Sequence, residues 1–180
     1  MSSLLLKSEI ALGELAIAFL QESVGDWHSQ RRYYSLETND VQEVESFLTV
    51  RFLSRGTPEL EHLAALHGLE DASILRCGSQ VTWESSYIKP SRKPLSGSIV
   101  FGMSETLVYR DRGFATLQPI TAQYHFPENS PKILHLRTEY NSSVFEEEFK
   151  FIGANYRTRQ TIISRAGKEQ TIGQYLEKRI

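Results

Sequence analysis

The chain from residue 77 to its end is a succession of short segments with the composition of β-strands, separated by turn signals. In these segments β-branched and aromatic residues alternate with polar ones, which is the pattern of strands with one buried face. Many short strands at regular spacing favour a β-sandwich or a closed up-and-down barrel, and a barrel of about eight to ten strands has room for one small ligand. The predicted strands cover residues 77–84, 97–101, 106–109, 116–126, 133–140, 144–151, 156–165 and 171–178.

Two helices are predicted in the first part of the chain. One covers residues 10–24, where the apolar residues follow one stripe, and it ends at Gly25. The other begins at Thr57 and Pro58, a capping residue followed by a proline suited to the first helical position, and it stops at Gly68. The sequence therefore predicts a mainly β fold with an N-terminal helix and one further short helix.

The remaining segments complete this prediction. Strands are predicted over residues 27–36 and 41–53, and residues 85–97, which contain two prolines, are predicted to form a long mobile loop. The length suits one domain, residues 1–180, in which residues 1–17 form an N-terminal extension and the start of the helix.

The composition argues against several classes of function. A formal net charge of −2 gives no reason to expect nucleic acid or a membrane surface as a partner. Cys77 is the only cysteine, so the chain cannot form an internal disulfide, and the reducing interior of a cell is the simplest compartment. The N-terminal apolar residues are interrupted by Lys7, Glu9 and Glu14, which suits an amphipathic helix better than a secretory signal. The histidines are scattered, and no metal site is predicted.

Charged residues lie on strand faces that the alternation predicts to be buried. Glu147 shares a face with Phe145 and Phe149, and Arg157 and Arg159 share a face of the next strand. Charges aimed into an all-β interior destabilise the fold unless something pairs with them. These groups therefore either pair with each other or bind an ionic ligand.

Seven short motifs, in this order along the chain, make it resemble the S/U-type phycobiliprotein lyases, the CpcS/CpeS chromophore lyase family. The resemblance extends from about residue 18 to the C-terminus. The motifs are Trp27-His28-Ser29-Gln30-Arg31, Val81-Thr82-Trp83-Glu84, Tyr109-Arg110-Asp111-Arg112-Gly113-Phe114, Arg137-Thr138-Glu139-Tyr140, Glu146-Glu147, Arg157-Thr158-Arg159 and Glu177-Lys178-Arg179.

The resemblance implies a lipocalin-like antiparallel barrel that binds an open-chain tetrapyrrole, a bilin, such as phycocyanobilin or phycoerythrobilin. It also implies that the protein attaches this bilin by a thioether bond to a cysteine of a phycobiliprotein α or β subunit. The bilin is then the substrate, and no resident cofactor is expected. The working unit is expected to be a homodimer, or a heterodimer with a related lyase, in the cyanobacterial cytoplasm or the plastid stroma.

The same resemblance supplies candidate site residues. Glu147 is the candidate catalytic carboxylate, because a carboxylate at the pyrrole nitrogens keeps the bilin protonated and its ring A ethylidene electrophilic. Tyr34 is the second catalytic candidate, since Tyr34 and Ser35 stand where many family members have two histidines. A second family tryptophan is also missing, with Tyr87 near its place. The candidate bilin-binding residues are Arg31, Trp83, Arg157, Arg159, Glu177 and Trp27.

Structural interpretations of these residues remain open at this stage. Glu147 would form an ion pair with Arg157 across adjacent strands, and the arginines would brace the barrel mouth. Trp27 and Trp83 would be core residues that plug the barrel. Glu177 would belong to an ion pair near Arg179, and Cys77 would be a buried apolar residue.

Two alternative functions also remain. One is a non-catalytic bilin carrier or the partner subunit of a two-protein lyase, which the Tyr34-Ser35 departure favours. The other is a fatty-acid or retinoid carrier, which would need a mostly apolar interior with a single arginine.

Overall fold

The computed structural model describes residues 2–180, with side chains from residue 12 onward. Ten antiparallel strands follow one another around a closed barrel, each paired with its neighbours along the chain, and β10 closes the ring against β1. This confirms the predicted up-and-down barrel. The strands are β1 (Gly25–Ser35), β2 (Val41–Ser54), β3 (Cys77–Lys89), β4 (Arg92–Met103), β5 (Leu107–Arg110), β6 (Ile120–His125), β7 (Ile133–Tyr140), β8 (Ser143–Ile152), β9 (Tyr156–Arg165) and β10 (Lys168–Arg179).

The N-terminal helix α1 (Ser2–Glu22) closes one end of the barrel. Its last turns place Phe19 among the rings of Phe126, Phe149 and Phe151, at centroid distances of 5.1–6.3 Å. The helix begins earlier than predicted, and the Lys7 and Glu9 side chains, on which the amphipathic interpretation partly rests, lie outside the described side chains. Because Phe19 is buried among these rings, α1 seals this end of the barrel, which we call the floor.

The second helix, α2 (Pro58–Leu66), packs on the outside of the barrel, as the capping signal at Thr57 predicted. Leu60 and Leu63 are fully buried there. Two strand glycines allow the close approach, because a Cβ at Gly78 would lie 2.6 Å from Leu60 and one at Gly102 would lie 2.8 Å from Leu63. Two single 3-10 turns, Ala72–Ile74 and Pro127–Asn129, complete the helical structure of the described residues.

Residues 85–97 do not form a mobile loop, and that prediction was wrong. They belong to a β-hairpin in which β3 runs to Lys89 and β4 begins at Arg92. The pairing shifts register between Ser85 and Tyr87, and such a bulge accommodates Pro94. The other edge of β4 pairs with β5 only between Phe101 and Met103. Pro94, which lacks an N–H, therefore leaves no hydrogen bond between β4 and β5 unmade.

The strand predicted over residues 116–126 is also shorter than expected, because β6 begins only at Ile120. Residues 111–119, which we call the mouth loop, instead turn at the barrel end opposite α1. The Gly113 N–H donates to the Thr116 carbonyl at 2.9 Å, and the Ala115 N–H donates to the Tyr140 hydroxyl at 2.9 Å. The loop is thereby tied to β7, and it borders the interior of the barrel at this end.

Candidate functional site

The barrel encloses a cavity of about 520 Å³ between α1 and the mouth loop. Its wall is largely apolar, with leucine, valine and phenylalanine side chains from most of the strands. Against this background, five arginines and one glutamate line the same space: Arg31, Arg110, Arg112, Arg157, Arg159 and Glu177. A cavity with this lining can hold a largely apolar molecule that also carries negative charge.

Glu147 is held by two arginines in the interior. Arg110 donates to Oε2 and Arg159 donates to Oε1, at 2.6 and 2.5 Å. The Glu147 side chain is only 1% exposed. Burial alone would raise the pKa of this carboxyl, but the two guanidinium groups outweigh it and lower the pKa below its usual value. Glu147 is therefore ionised, and it lies behind Arg110 and Arg159 rather than on the cavity wall.

Glu177 forms the second buried ion pair. Arg157 donates through Nε to Oε2 at 2.6 Å and through Nη1 to the Ser23 hydroxyl at 3.1 Å. The other carboxylate oxygen, Oε1, accepts only a long hydrogen bond from Ser29, at 3.3 Å. Burial would raise the pKa of Glu177, but Arg157 and then Arg159 lower it. Glu177 thus presents an ionised carboxylate with accepting capacity to the cavity.

Aromatic rings fix the planes of the arginines. The Arg159 guanidinium lies 4.7 Å from the ring centroids of both Phe149 and Tyr175. The Arg31 guanidinium lies 5.3 Å from the Tyr175 ring, and its Nε donates to the Ser29 hydroxyl at 3.1 Å. Stacking restricts the rotamers of these long side chains, so their charged groups are pre-organised.

The two tryptophans have different positions. Trp83 lines the cavity, and its ring lies against Gly97, where a Cβ would be 2.5 Å from the indole. Trp27 is fully buried, donates through Nε1 to the Ser23 carbonyl at 2.9 Å and does not line the cavity. The Arg157 guanidinium lies 4.8 Å from its ring centroid, so Trp27 plugs the floor as one of the structural interpretations proposed.

Tyr34 does not join the other candidates. Side chains alternate along β1, so Arg31 and Tyr33 line the cavity while Tyr34 points to the outside of the barrel. Ser35 accepts a hydrogen bond from the Thr38 hydroxyl at 2.9 Å in the turn that follows. The expectation that Tyr34 takes part in the chemistry of the cavity is therefore not supported by its position.

The ion pairs also differ from those expected. In the strand register, Glu147 lies opposite Thr161, and Arg157 lies opposite Phe151 and Glu177. The pair Glu147–Arg157 is thus absent from the described residues, and the partner of Glu177 is Arg157 rather than a group near Arg179. The expectation that both arginines brace the barrel mouth is wrong for Arg157, which contacts Ser23 and Trp27 at the α1 end, while Arg159 pairs with Glu147.

Arg110 and Arg112 were missed as site residues. Arg110 belongs to a strand of four residues, too short for a clear alternation, and reaches Glu147 from the far side of β6 and β7. The sequence did contain a signal for them, since both arginines lie in one of the family-like motifs. A second, weaker signal is that Arg110 alternates with Tyr109, which packs under α2 on the outside of the barrel.

Several buried polar atoms in the cavity region have no hydrogen-bond partner among the described residues. The Nε atoms of Arg110 and Arg159 and the hydroxyls of Ser79 and Thr161 share this property, and all four residues line the cavity. Unpaired buried polar groups are costly. These four atoms are covered by neighbouring side chains rather than open to the cavity, so they add to the cost of the polar interior and do not bear on the choice of ligand.

The two depressed carboxyl pKa values predict how stability responds to acid. Both folded-state values lie below that of an unfolded glutamate, about 4.3. Their contribution to stability is therefore complete above about pH 4.3 and is lost as the pH falls through the folded-state pKa. We expect the difference in free energy of unfolding between the wild type and Glu147→Gln to shrink below about pH 4. A difference that stays constant between neutral pH and pH 3 would contradict this account.

Other groups of possible chemical interest are not assembled into a site. Burial raises the pKa of the Cys77 thiol to about 12, so this side chain stays protonated and unreactive. Among the described residues, no three His, Cys, Asp or Glu side chains converge as metal ligands. None of the described helices has the length and apolar character needed to cross a membrane.

Comparisons with known proteins agree with this architecture. The model of the family described as CpeS-like protein matches residues 16–180. The chain is 57% identical over 164 residues to "Putative phycocyanobilin lyase CpcS 2" of Nostoc sp., covering 91% of this chain and 90% of that protein. It is 48% identical to "Putative chromophore lyase CpcV" of Picosynechococcus sp., covering 91% and 80%. The structure of the S-type phycobiliprotein lyase CPES from Guillardia theta shares the fold, with a TM-score of 0.74, 21% identity and 90% coverage of both chains.

Proposed function

Because the chain belongs to the CpeS-like protein family, we propose that it is a chromophore lyase. In this function it binds a bilin and joins it by a thioether bond to a cysteine of a phycobiliprotein subunit. The observation that carries the proposal is the cavity itself, where five arginines and Glu177 interrupt an otherwise apolar wall. The two curated relatives, named as a phycocyanobilin lyase and a chromophore lyase, support the same substrate class.

The chemistry of a bilin matches this wall group by group. Its rings are apolar and conjugated, which suits the aliphatic and aromatic lining and the face of Trp83. Its propionates call for arginines, and its pyrrole N–H groups call for a carboxylate acceptor. The five cavity arginines face only two buried carboxylates, Glu147 and Glu177, and the single carboxylate of a fatty acid would leave part of this excess positive charge uncompensated.

We assign the carboxylate role in the cavity to Glu177, with Glu147 as a positioning residue. Glu177 lines the cavity and keeps Oε1 nearly unengaged, whereas both oxygens of Glu147 are taken by Arg110 and Arg159. An ionised carboxylate beside the pyrrole N–H groups favours the protonated bilin, because it stabilises the positive charge. Glu147 then acts through the two arginines whose orientation it fixes.

The proposed reaction is an addition and needs no leaving group or redox partner. The sulfur of the acceptor cysteine forms a bond to the ethylidene carbon of ring A, whose double bond opens. The thiol proton is taken up by the tetrapyrrole, so all atoms are retained in the product. The lyase supplies no nucleophile of its own, and the buried, protonated Cys77 does not compete with the acceptor thiol.

A titration tests the substrate class. We expect the purified protein to bind phycocyanobilin non-covalently with a red-shifted and sharpened absorption band, because the cavity holds the pigment protonated and restrained. Palmitate should not displace it at equal concentration. An unchanged pigment spectrum together with tight fatty-acid binding would favour the fatty-acid carrier instead.

The assembly and location are further parts of the proposal. We propose that the protein works in the cytoplasm, in keeping with the cyanobacterial source of the curated relatives, as a homodimer or with a related lyase. Tyr34 lies on the outer face of the barrel, where a residue that differs from the family pattern would act on protein contacts rather than on the bilin. Light scattering of the chain alone, and mixed with a relative, distinguishes these assemblies.

A further inference from the structure

The cavity is closed at the α1 end and open at the mouth. Phe19 and the aromatic rings around it fill the floor, whereas residues of the mouth loop border the cavity at the other end. Thioether formation brings the sulfur of the acceptor cysteine within bonding distance of the pigment in this cavity. The acceptor subunit must therefore contact the barrel around the mouth, so we looked there for a surface suited to a protein partner.

One side of the mouth has an unpaired strand edge. β4 pairs with β5 only from Phe101 to Met103, and the Val100 carbonyl accepts one further hydrogen bond, from the Asp111 N–H at 3.2 Å. Beyond this point, among the described residues, no backbone hydrogen bond joins residues 92–99 of β4 to the mouth loop. Another chain can pack against an unpaired edge of this kind.

Exposed apolar side chains lie on both sides of this edge. Leu117 of the mouth loop lines the cavity and is nevertheless 80% exposed, the highest value of any large apolar side chain that the structure describes. Leu95 alternates with Gly97 and Ile99 on the inner face of β4, lies beyond the residues that line the cavity, and is 53% exposed. Exposed apolar residues gathered at one end of a barrel are typical of a protein interaction surface.

The charges beside these residues have one sign. Residues 85–97 include Lys89, Arg92 and Lys93 and no acidic residue, although the whole chain has a net charge of −2. All three cations are exposed, and none forms an ion pair in the part of the chain that the structure describes. A partner that complements this surface has apolar residues flanked by acidic ones around its cysteine.

We propose that the acceptor subunit docks on the open side of the mouth, between Leu95 of the β3–β4 hairpin and Leu117 of the mouth loop, with acidic residues of its surface against Lys93. This assignment rests on the proposed function, and it names the surface that recognises the protein substrate rather than the pigment. Leu95 and Lys93 do not line the cavity, so recognition of the acceptor can be altered without a change in pigment binding.

Transfer rates at increasing concentrations of the apo-subunit test this surface. Protein loaded with phycocyanobilin is mixed with the apo-phycobiliprotein subunit, α or β, that accepts pigment from the wild type. Leu95→Ser should raise the KM for the apo-subunit about tenfold, because an apolar side chain that the partner covers is lost. The maximal rate and the dissociation constant of phycocyanobilin should stay unchanged. Leu117→Ser should raise the same KM by at least as much.

Matched controls lie on the outer face of the barrel. Leu176 is 46% exposed on β10, so Leu176→Ser should leave the KM unchanged. Lys93→Glu should raise the KM about fivefold at low salt and lose most of this effect at about 0.5 M salt, since salt screens exposed charges. Lys150→Glu makes the same charge change on the exposed face of β8 and should have no effect. Thermal unfolding of each variant verifies the fold.

Three results would overturn the docking assignment while the proposed function stands. The first is a wild-type KM for the apo-subunit in both Leu95→Ser and Leu117→Ser. The second is a wild-type dimer, seen by light scattering, that these substitutions abolish without a change in KM, because the mouth would then contact a second copy. The third is an equal rise of the KM and of the pigment dissociation constant in Leu95→Ser. If the wild type transfers pigment to neither subunit, the docking assignment and the proposed function both fail.

Discussion

Replacement of Glu147 by glutamine should lower the free energy of unfolding by about 3–5 kcal/mol, the cost of breaking a buried ion pair by removing one partner. The amide preserves the shape of the side chain but removes the charge shared by Arg110 and Arg159, whose side chains are 3% and 19% exposed. The two cations would then face each other in the interior without a counter-charge. Denaturant unfolding at neutral pH measures the loss.

The neighbouring residue supplies the control for this variant. Glu148 lies on the outer face of the same strand, is 49% exposed and contacts His135. Glu148→Gln should change the free energy of unfolding by no more than about 0.5 kcal/mol, as for an ordinary surface substitution. If Glu147→Gln changes the free energy of unfolding as little as Glu148→Gln does, the structural role of the buried pairs is contradicted. That result would favour a direct contact between Glu147 and the ligand.

Glu177→Gln should slow bilin transfer by about 100-fold, the lower range for removal of a group that controls protonation. The glutamine oxygen can still accept the hydrogen bond from Arg157, but the amide carries no negative charge and no longer stabilises a protonated pigment. The absorption band of the bound bilin should accordingly shift toward that of the neutral pigment. Both effects are measured with the same preparation, below its melting temperature.

Two readouts separate this role from a merely structural one. A loss of transfer with an unchanged spectrum of the bound bilin would contradict the assignment of Glu177 as the carboxylate at the pyrrole nitrogens. Glu169→Gln, on the exposed first part of the same strand, should affect neither the spectrum nor the rate. Glu169 therefore serves as the control for the removal of one negative charge from β10.

The barrel was predictable because period-two alternation survives in most of its strands. The same alternation predicted that Glu147, Arg157 and Arg159 face inward, and the structure confirms the orientation. The same alternation argues against Tyr34 as a site residue. Arg31 and Tyr34 are an odd number of positions apart, so they cannot share a face of one regular strand.

The ion-pair partners of the charged residues could not be predicted from the sequence. Alternation gives the face of a side chain but not the register between strands, and a shift in register changes every cross-strand neighbour. Glu147 is therefore opposite Thr161 rather than Arg157, a difference set by the turn between β8 and β9. Arg110 on β5 reaches Glu147 on β8 across two intervening strands, a contact inside the curved wall that the spacing of residues along the chain does not indicate.

Transfer to an acceptor cysteine tests the central claim most directly. The purified protein, phycocyanobilin and an apo-phycobiliprotein subunit are mixed, and the subunit is then denatured and examined for covalently attached pigment. We expect a mass increase equal to one bilin, attached faster than in the reaction without the protein, and absent when the acceptor cysteine is replaced by serine. Pigment that binds to the barrel but stays fully extractable from the subunit, at the rate seen without the protein, would contradict the assignment as a lyase and leave a bilin carrier.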